Sequence, residues 1–161
     1  MTAAVHFSVR PEWAEIDKVR DQTLAFLRQQ GFGDEIIDAM TMVACELTEN
    51  ATKYGQFDPR RDHIDIDVMV DARFVTCEVK SPVSAAEQDN LARLDRMVQW
   101  IRGYQDPFQA YLERLKEVSV QNLESKESGL GLVRIAYEGQ AILDFYVDEH
   151  NTLSVSATYP L

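Results

Sequence analysis

An apolar stripe with helical spacing runs through residues 34–54, and it constrains the fold more than any other feature of the chain. Its members recur at intervals of three and four residues: Ile36, Met40, Val43, Leu47, Ala51 and Tyr54. This spacing places them on one face of an α-helix of about five turns. Gly55 follows where a C-terminal cap is expected. The segment therefore predicts a long helix whose apolar face packs against a core.

The rest of the chain alternates between strand-like and helix-like patterns. Strands are predicted over residues 5–9, 63–70, 74–79, 141–147 and 153–158. Helices are predicted over residues 12–30, near 91–101, near 107–118 and near 132–136. The order is β-α-α-β-β-α-α-α-β-β, in which strand pairs alternate with groups of helices. It predicts one α/β two-layer sandwich over residues 1–161, with a mixed, mainly antiparallel sheet and helices on one face.

Composition and charge exclude several classes of protein. The chain has 161 residues, 45% hydrophobic and 27% charged, which suits one globular domain rather than a disordered chain. Its net charge of −11 disfavours binding to nucleic acid and to anionic membrane surfaces, because proteins bind both of these through basic patches. No apolar run approaches the ~18 residues that span a bilayer, and the first residues do not resemble a secretory signal. We therefore expect a cytoplasmic protein, with Cys45 and Cys77 as buried thiols.

Three polar residues lie near the end of the predicted long helix. Glu46, Asn50 and Lys53 stand at positions i, i+4 and i+7, which share one helical face. That face is offset by about 60° from the apolar stripe. A carboxylate there can act as a general base, and an amide oxygen can bind Mg²⁺. The spacing predicts the floor of a magnesium–phosphate site, and the alternative is a solvated helix face.

A glycine-containing turn precedes the last predicted helix. Gly129 and Gly131 flank one leucine, and two glycines at a helix N-terminus let backbone N–H groups approach an anion. Lys126 adds a positive charge just upstream. The polar residues 121–128 are expected to be mobile without a nucleotide and ordered with it. The alternative for the glycines is an ordinary turn between a loop and a helix.

Together, the Glu-x-x-x-Asn-Ala-x-Lys-Tyr-Gly helix and the Gly-Leu-Gly-Leu turn resemble the GHKL ATPase fold. Within that family the compact chain is most similar to the anti-sigma serine/threonine kinases, and two helices ahead of the turn resemble the SiaB-type branch. The resemblance implies ATP and Mg²⁺ as cofactors, Glu46 as the catalytic carboxylate and Asn50 as the Mg²⁺ ligand. It implies that Gly129 and Gly131 belong to the phosphate lid, and Lys53 lies where the family often has a basic residue.

The function that the resemblance implies is phosphorylation of a small partner protein, STAS-like or a similar phospho-acceptor, in a bacterial regulatory switch. A homodimer is compatible with this function. The alternative is an anti-sigma-like binding module that sequesters a protein partner with weak or no nucleotide binding.

The chain departs from the family at residues 77–84, which contain no Asp-x-Gly-x-Gly motif. In the family, the Asp of this motif recognises the adenine amino group. Either Glu78 or Ser81 takes that role, or purine selectivity is poor. We expect poor selectivity, because Lys80 and Pro82 stand where small residues would let the backbone approach the base.

Overall fold

Five strands and five α-helices make up most of the residues that the computed structural model describes, which are 2–55, 57–58, 60–83, 88–104, 106–120 and 130–161. The strands are β1 (Ala3–Val9), β2 (Ile64–Val70), β3 (Phe74–Pro82), β4 (Ile142–Val147) and β5 (Thr152–Pro160). The helices are α1 (Ile16–Gln29), α2 (Asp34–Tyr54), α3 (Gln88–Arg102), α4 (Pro107–Val120) and α5 (Leu130–Tyr137). This is the predicted order of elements. None of these described helices is long and apolar enough to cross a membrane.

The described strands form one sheet in the order β1-β2-β3-β5-β4. Each pairing between neighbouring strands of this described sheet is antiparallel. After β3 the chain forms α3, α4 and α5, and it returns to the sheet at the far edge as β4. β5 then enters between β3 and β4, so β3 pairs with β2 as far as Lys80 and with β5 as far as Pro82.

The helices cover one face of this sheet. Buried apolar residues alternate with polar ones along β2 and β3, and the buried set faces the helices: Ile64, Ile66, Val68, Val75, Cys77 and Val79. The opposite face carries polar pairs. There the Ser8 hydroxyl donates to the Asp65 carboxylate over 2.6 Å, and Nδ1 of His6 lies 2.8 Å from the Asp67 carboxylate. The predicted α/β two-layer sandwich with helices on one face is confirmed.

α2 runs through the middle of the helix layer. It contacts α1, α5, β2 and β3, and Met40, Val43 and Leu47 of its predicted stripe are buried. The observed bounds agree with the prediction, and the Gly55 N–H closes the helix on the Ala51 carbonyl over 2.8 Å. Because so many elements pack on α2, its C-terminal half has a fixed place against β3 and α5.

Several predicted boundaries differ from the structure, most of them by one or two residues, and two of these differences have a clear cause. The helix predicted over residues 12–30 begins only at Ile16, because Trp13–Glu15 form a 3₁₀ turn. The strand predicted over residues 74–79 continues to Pro82, because Pro82 still pairs with Thr152 of β5. The second difference matters for the site described below, since it makes the end of β3 a regular strand.

Both cysteines are buried free thiols, as predicted. Burial raises the pKa of Cys45 to about 11 and that of Cys77 to about 12. Thiols with pKa values this high are poor nucleophiles, so the two residues serve as small apolar side chains of the core.

Candidate functional site

The C-terminal half of α2 and the start of α5 meet at a charged cluster. Nη1 of Arg134 on α5 donates to Oε1 of Glu46 on α2 over 2.7 Å. The same guanidinium pairs with Glu138, the residue that follows the end of α5, at 3.1 Å. The Glu46 side chain is 16% exposed. The face of α2 that carries Glu46 is therefore not a freely solvated helix surface.

Gly131 allows the two helices to approach closely at this cluster. A Cβ at this position would lie 2.6 Å from Oε2 of Glu46 and 3.8 Å from Nδ2 of Asn50. Any residue other than glycine would therefore press against the carboxylate. The structure thus brings one glycine of the predicted turn against the two side chains that the sequence singled out on α2.

Glu46, Asn50 and Gly131 line a cavity of about 590 Å³. Its apolar wall comes from the helices and the end of the sheet, with contributions from Leu47, Leu94, Met97, Trp100, Val79 and Val155. A volume of this order lies within the range of roughly 300–1,000 Å³ that is typical of small-molecule sites. The combination of an apolar wall and a few convergent polar groups is also typical of such sites.

Charged side chains from three helices converge on the cavity. The cationic residues among its described lining are Lys53, Arg93, Arg96 and Arg114, and the acidic ones are Glu46, Glu49 and Glu117. Arg114 pairs with Glu117 over 2.7 Å. The described lining thus has a small cationic excess within a chain of net charge −11. This local excess favours an anionic ligand.

Burial makes Glu46 harder to ionise than an ordinary glutamate. Its pKa is raised mainly because burial penalises the charged carboxylate, and the nearby charge of Glu49 adds to this effect. Arg134 lowers the pKa of Glu46, whereas Glu138 raises it. A half-buried carboxylate with a raised pKa beside a cavity has the properties of a general base.

The end of β3 presents Ser81 to the cavity, but neither Glu78 nor Lys80. Ser81, which is 3% exposed, lines the cavity together with Val79 and Val83. Glu78 and Lys80 alternate with these residues and so lie on the opposite face of the sheet, where they form an ion pair at 3.3 Å. The expectation that Lys80 obstructs the approach of a base is therefore wrong. Of the two suggested replacements for the missing Asp, Ser81 faces the cavity and Glu78 does not.

Four of the residues predicted for the site are described by the structure, and all of them line the cavity: Glu46, Asn50, Lys53 and Gly131. Gly129, Lys126 and the predicted mobile segment 121–128 lie outside the described residues. The structure therefore brings together the described members of two sequence segments that lie far apart in the chain.

The sequence analysis missed the arginines of this site. Arg134 could have been found, because Gly131, Arg134 and Glu138 stand at i, i+3 and i+7 and share one face of α5. Arg93 and Arg96 on α3 carry no such signal, since two arginines three residues apart on a helix usually indicate a solvated face. Only the folded chain shows that this face borders a cavity.

The residues at this cavity fit a nucleotide with Mg²⁺. Gly131 leaves beside Glu46 and Asn50 a space that a Cβ would fill, and the amide oxygen of Asn50 is a ligand type that Mg²⁺ accepts. No group of three or more His, Cys, Asp or Glu in the described part of the chain could hold a metal ion by itself. A magnesium ion here would draw on Asn50, on water and on phosphate oxygens. The cationic side chains suit phosphates, and the apolar wall suits a base.

Comparisons with known proteins agree with this fold. Residues 7–137 match the model of the histidine kinase-like ATPase domain, a span that contains both α2 and α5. A chain in the crystal structure of the SiaB–SiaC complex from Pseudomonas aeruginosa is similar in fold, with a TM-score of 0.70 and 17% identity over 96% of this chain and 88% of that chain. The comparison with curated proteins gives no match. The predicted GHKL-type fold is confirmed, and the chain belongs to the family of histidine kinase-like ATPase domains.

Proposed function

We propose that this chain is a cytoplasmic, ATP- and Mg²⁺-dependent serine/threonine protein kinase of a bacterial partner-switching system. The observation that carries the proposal is that Glu46 and Asn50 line one cavity, with Gly131 against both. A carboxylate and an amide oxygen on one helical face offer a base and a metal ligand to the same bound molecule. Membership of the histidine kinase-like ATPase family supports nucleotide binding.

In this proposal, different described residues of the cavity have different roles in phosphoryl transfer. Asn50 holds Mg²⁺, while Lys53 and the arginines of α3 and α4 balance the charge of the phosphates. Bound Mg·ATP supplies the phosphoryl group and a divalent charge that neutralises it. Glu46 accepts the proton that the serine or threonine hydroxyl of the partner loses on phosphorylation.

The acceptor in this proposal is a small regulatory protein, STAS-like or similar. The solved structure that this fold resembles is a complex of SiaB with SiaC, which supports a protein partner rather than a small-molecule acceptor. The cavity borders on exposed surface near Trp13, which is 60% exposed. A partner residue can therefore reach the cavity from this side.

A non-catalytic, anti-sigma-like binding module is the second candidate function. β3 stays paired with β5 through Pro82, and this part of the chain has no glycine at which the backbone could approach a base. Weak recognition of the base would leave a chain that sequesters its protein partner without turning over a nucleotide.

Phosphate release from ATP in the presence of Mg²⁺ tests the kinase proposal, because water can take the place of the acceptor hydroxyl. Wild type should release phosphate, and Glu46→Gln should be slower by about a hundredfold or more. Glu35→Gln is the matched control, since Glu35 lies exposed in the first turn of the same helix. Equal rates for E46Q and wild type would contradict the role of Glu46. A wild type that neither binds Mg·ATP nor releases phosphate would favour the binding module.

A further inference from the structure

We infer that Arg134 is the positioning residue of this site, and that it anchors the Glu46 carboxylate in the orientation that the phosphoryl acceptor requires. The inference rests on the proposed function, in which Glu46 accepts the proton of the acceptor. Arg134 is not among the described residues that line the cavity. It therefore acts through Glu46 and not by touching the ligand.

The two carboxylate oxygens of Glu46 have different neighbours. Oε1 accepts a hydrogen bond from Nη1 of Arg134 over 2.7 Å. Oε2 lies 2.6 Å from the point where a Cβ of Gly131 would stand, and Gly131 lines the cavity. The ion pair thus occupies one oxygen and turns the other toward the glycine that borders the cavity.

Arg134 is itself held from a second side. Its Nη2 lies 3.1 Å from Oε2 of Glu138, and its Nε donates to the same oxygen over 3.1 Å. A planar guanidinium with carboxylate partners on two sides has little freedom to rotate. Glu138 therefore fixes Arg134, and Arg134 in turn fixes Glu46.

The backbone that carries Arg134 is also fixed against α2. A Cβ at Gly139, just beyond α5, would stand 2.6 Å from Cγ2 of Val43, and Val43 lies one turn before Glu46 on α2. Close packing at Gly131 and Gly139 thus sets the spacing of the two helices on both sides of Arg134. A positioning residue needs such a rigid base, because a misplacement of about 1 Å at a reacting group can lower a rate about a hundredfold.

Arg134→Gln tests whether Arg134 orients the Glu46 carboxylate without contributing to the binding of Mg·ATP. Because Arg134 does not line the described cavity, calorimetry should show R134Q binding Mg·ATP within about twofold of wild type, whereas kcat for phosphate release should fall about a hundredfold. Arg134→Lys keeps the charge but loses the two-pronged guanidinium, so it should recover part of the rate. Arg28→Gln is the matched control, because Arg28 lies exposed in the last turn of α1, and it should behave as wild type.

A second measurement needs no nucleotide. The carboxyl ¹³C resonance of the Glu46 side chain can be identified by its loss in E46Q. It should shift in R134Q and stay in place in R28Q, because only R134Q removes the ion pair seen at 2.7 Å. This measurement detects the Arg134–Glu46 contact in solution independently of turnover.

The possible results distinguish the inference from the proposed function. An active wild type with an unchanged kcat in R134Q, or a Glu46 resonance that does not respond, would overturn the inference and leave the function standing. A parallel loss of Mg·ATP affinity and kcat would also overturn the inference, since Arg134 would then act on the nucleotide. A wild type that releases no phosphate would overturn the proposed function and the inference with it.

Discussion

At the scale of single residues, the Glu46 carboxylate lies in surroundings that oppose its charge. Burial raises its pKa above the ordinary glutamate value, and the negative charges of Glu49 and Glu138 act in the same direction. Arg134 compensates in part, through the ion pair at 2.7 Å. Folding therefore makes the ionised form of this carboxylate less favourable than it is in the unfolded chain. Functional sites often keep residues that lower stability in this way.

Glu46→Gln should therefore raise the free energy of unfolding at neutral pH. The pKa of Glu46 is higher in the folded chain than in the unfolded one, so the ionised carboxylate lowers stability above the folded-state pKa. This penalty disappears as the pH falls below the ordinary pKa of glutamate, where both states are protonated. Glutamine keeps an oxygen that can accept from Arg134.

Urea unfolding of wild type and E46Q at neutral and at acid pH measures this effect. The variant should be the more stable protein at neutral pH and should lose its advantage at acid pH. A variant that is less stable at neutral pH would contradict the prediction, and it would show that the Arg134 ion pair outweighs the effect of burial.

At the scale of elements, the packing of α5 against α2 forms the site, and Gly131→Ala tests whether the close contact between Gly131 and Glu46 is required. The new methyl group would lie 2.6 Å from Oε2 of Glu46, which is a side-chain atom and not backbone, so the carboxylate can be displaced and the fold should survive. Alanine also favours a helix over glycine, by up to about 1 kcal/mol in a helix interior and by less at the second residue of α5, which offsets part of the repulsion. We expect an unfolding free energy within about 1 kcal/mol of wild type and a phosphate-release rate about a hundredfold lower, because the carboxylate is displaced.

Gly33→Ala provides the control for this substitution, because a Cβ at Gly33 would meet nothing within 4 Å. It should leave phosphate release close to wild type and lower stability only slightly, because Gly33 is the N-cap of α2 and alanine is a poorer N-cap than glycine. A G131A variant that releases phosphate at the wild-type rate would show that the position of the Glu46 carboxylate does not matter for turnover.

The elements differ in how far their sequence alone predicts them. α2 is predicted to the residue, because its apolar stripe and the glycine after it are local signals. The end of β3 is not, since Pro82 remains in the strand only through its pairing with Thr152, 70 positions along the chain. The alternation that turns Glu78 away from the cavity lies within the predicted strand, whereas the orientation of Ser81 toward it depends on that same long-range pairing.

At the scale of the whole molecule, the net charge of the chain does not predict the charge around the cavity. The net charge of −11 argues against polyanionic partners, yet the described lining of the cavity has more cationic than acidic residues. Lys53, Arg93 and Arg114 come from three different helices, so no segment of the sequence reveals the excess. The i, i+4 spacing of Glu46 and Asn50 was visible because both residues lie on one helix.

In the proposed function, Asn50 and Mg²⁺ together hold a nucleotide in this cavity, and calorimetric titration with ATP tests this most directly. Wild type should bind ATP more tightly with Mg²⁺ than without it. Asn50→Ala should lose that gain, by at least about tenfold in Kd or about 1.4 kcal/mol. Asp38→Ala, at an exposed position of the same helix, should keep it. An N50A variant with the Mg·ATP affinity of wild type would contradict the assignment of Asn50 as the Mg²⁺ ligand. A wild type whose affinity for ATP does not depend on Mg²⁺ would contradict it as well.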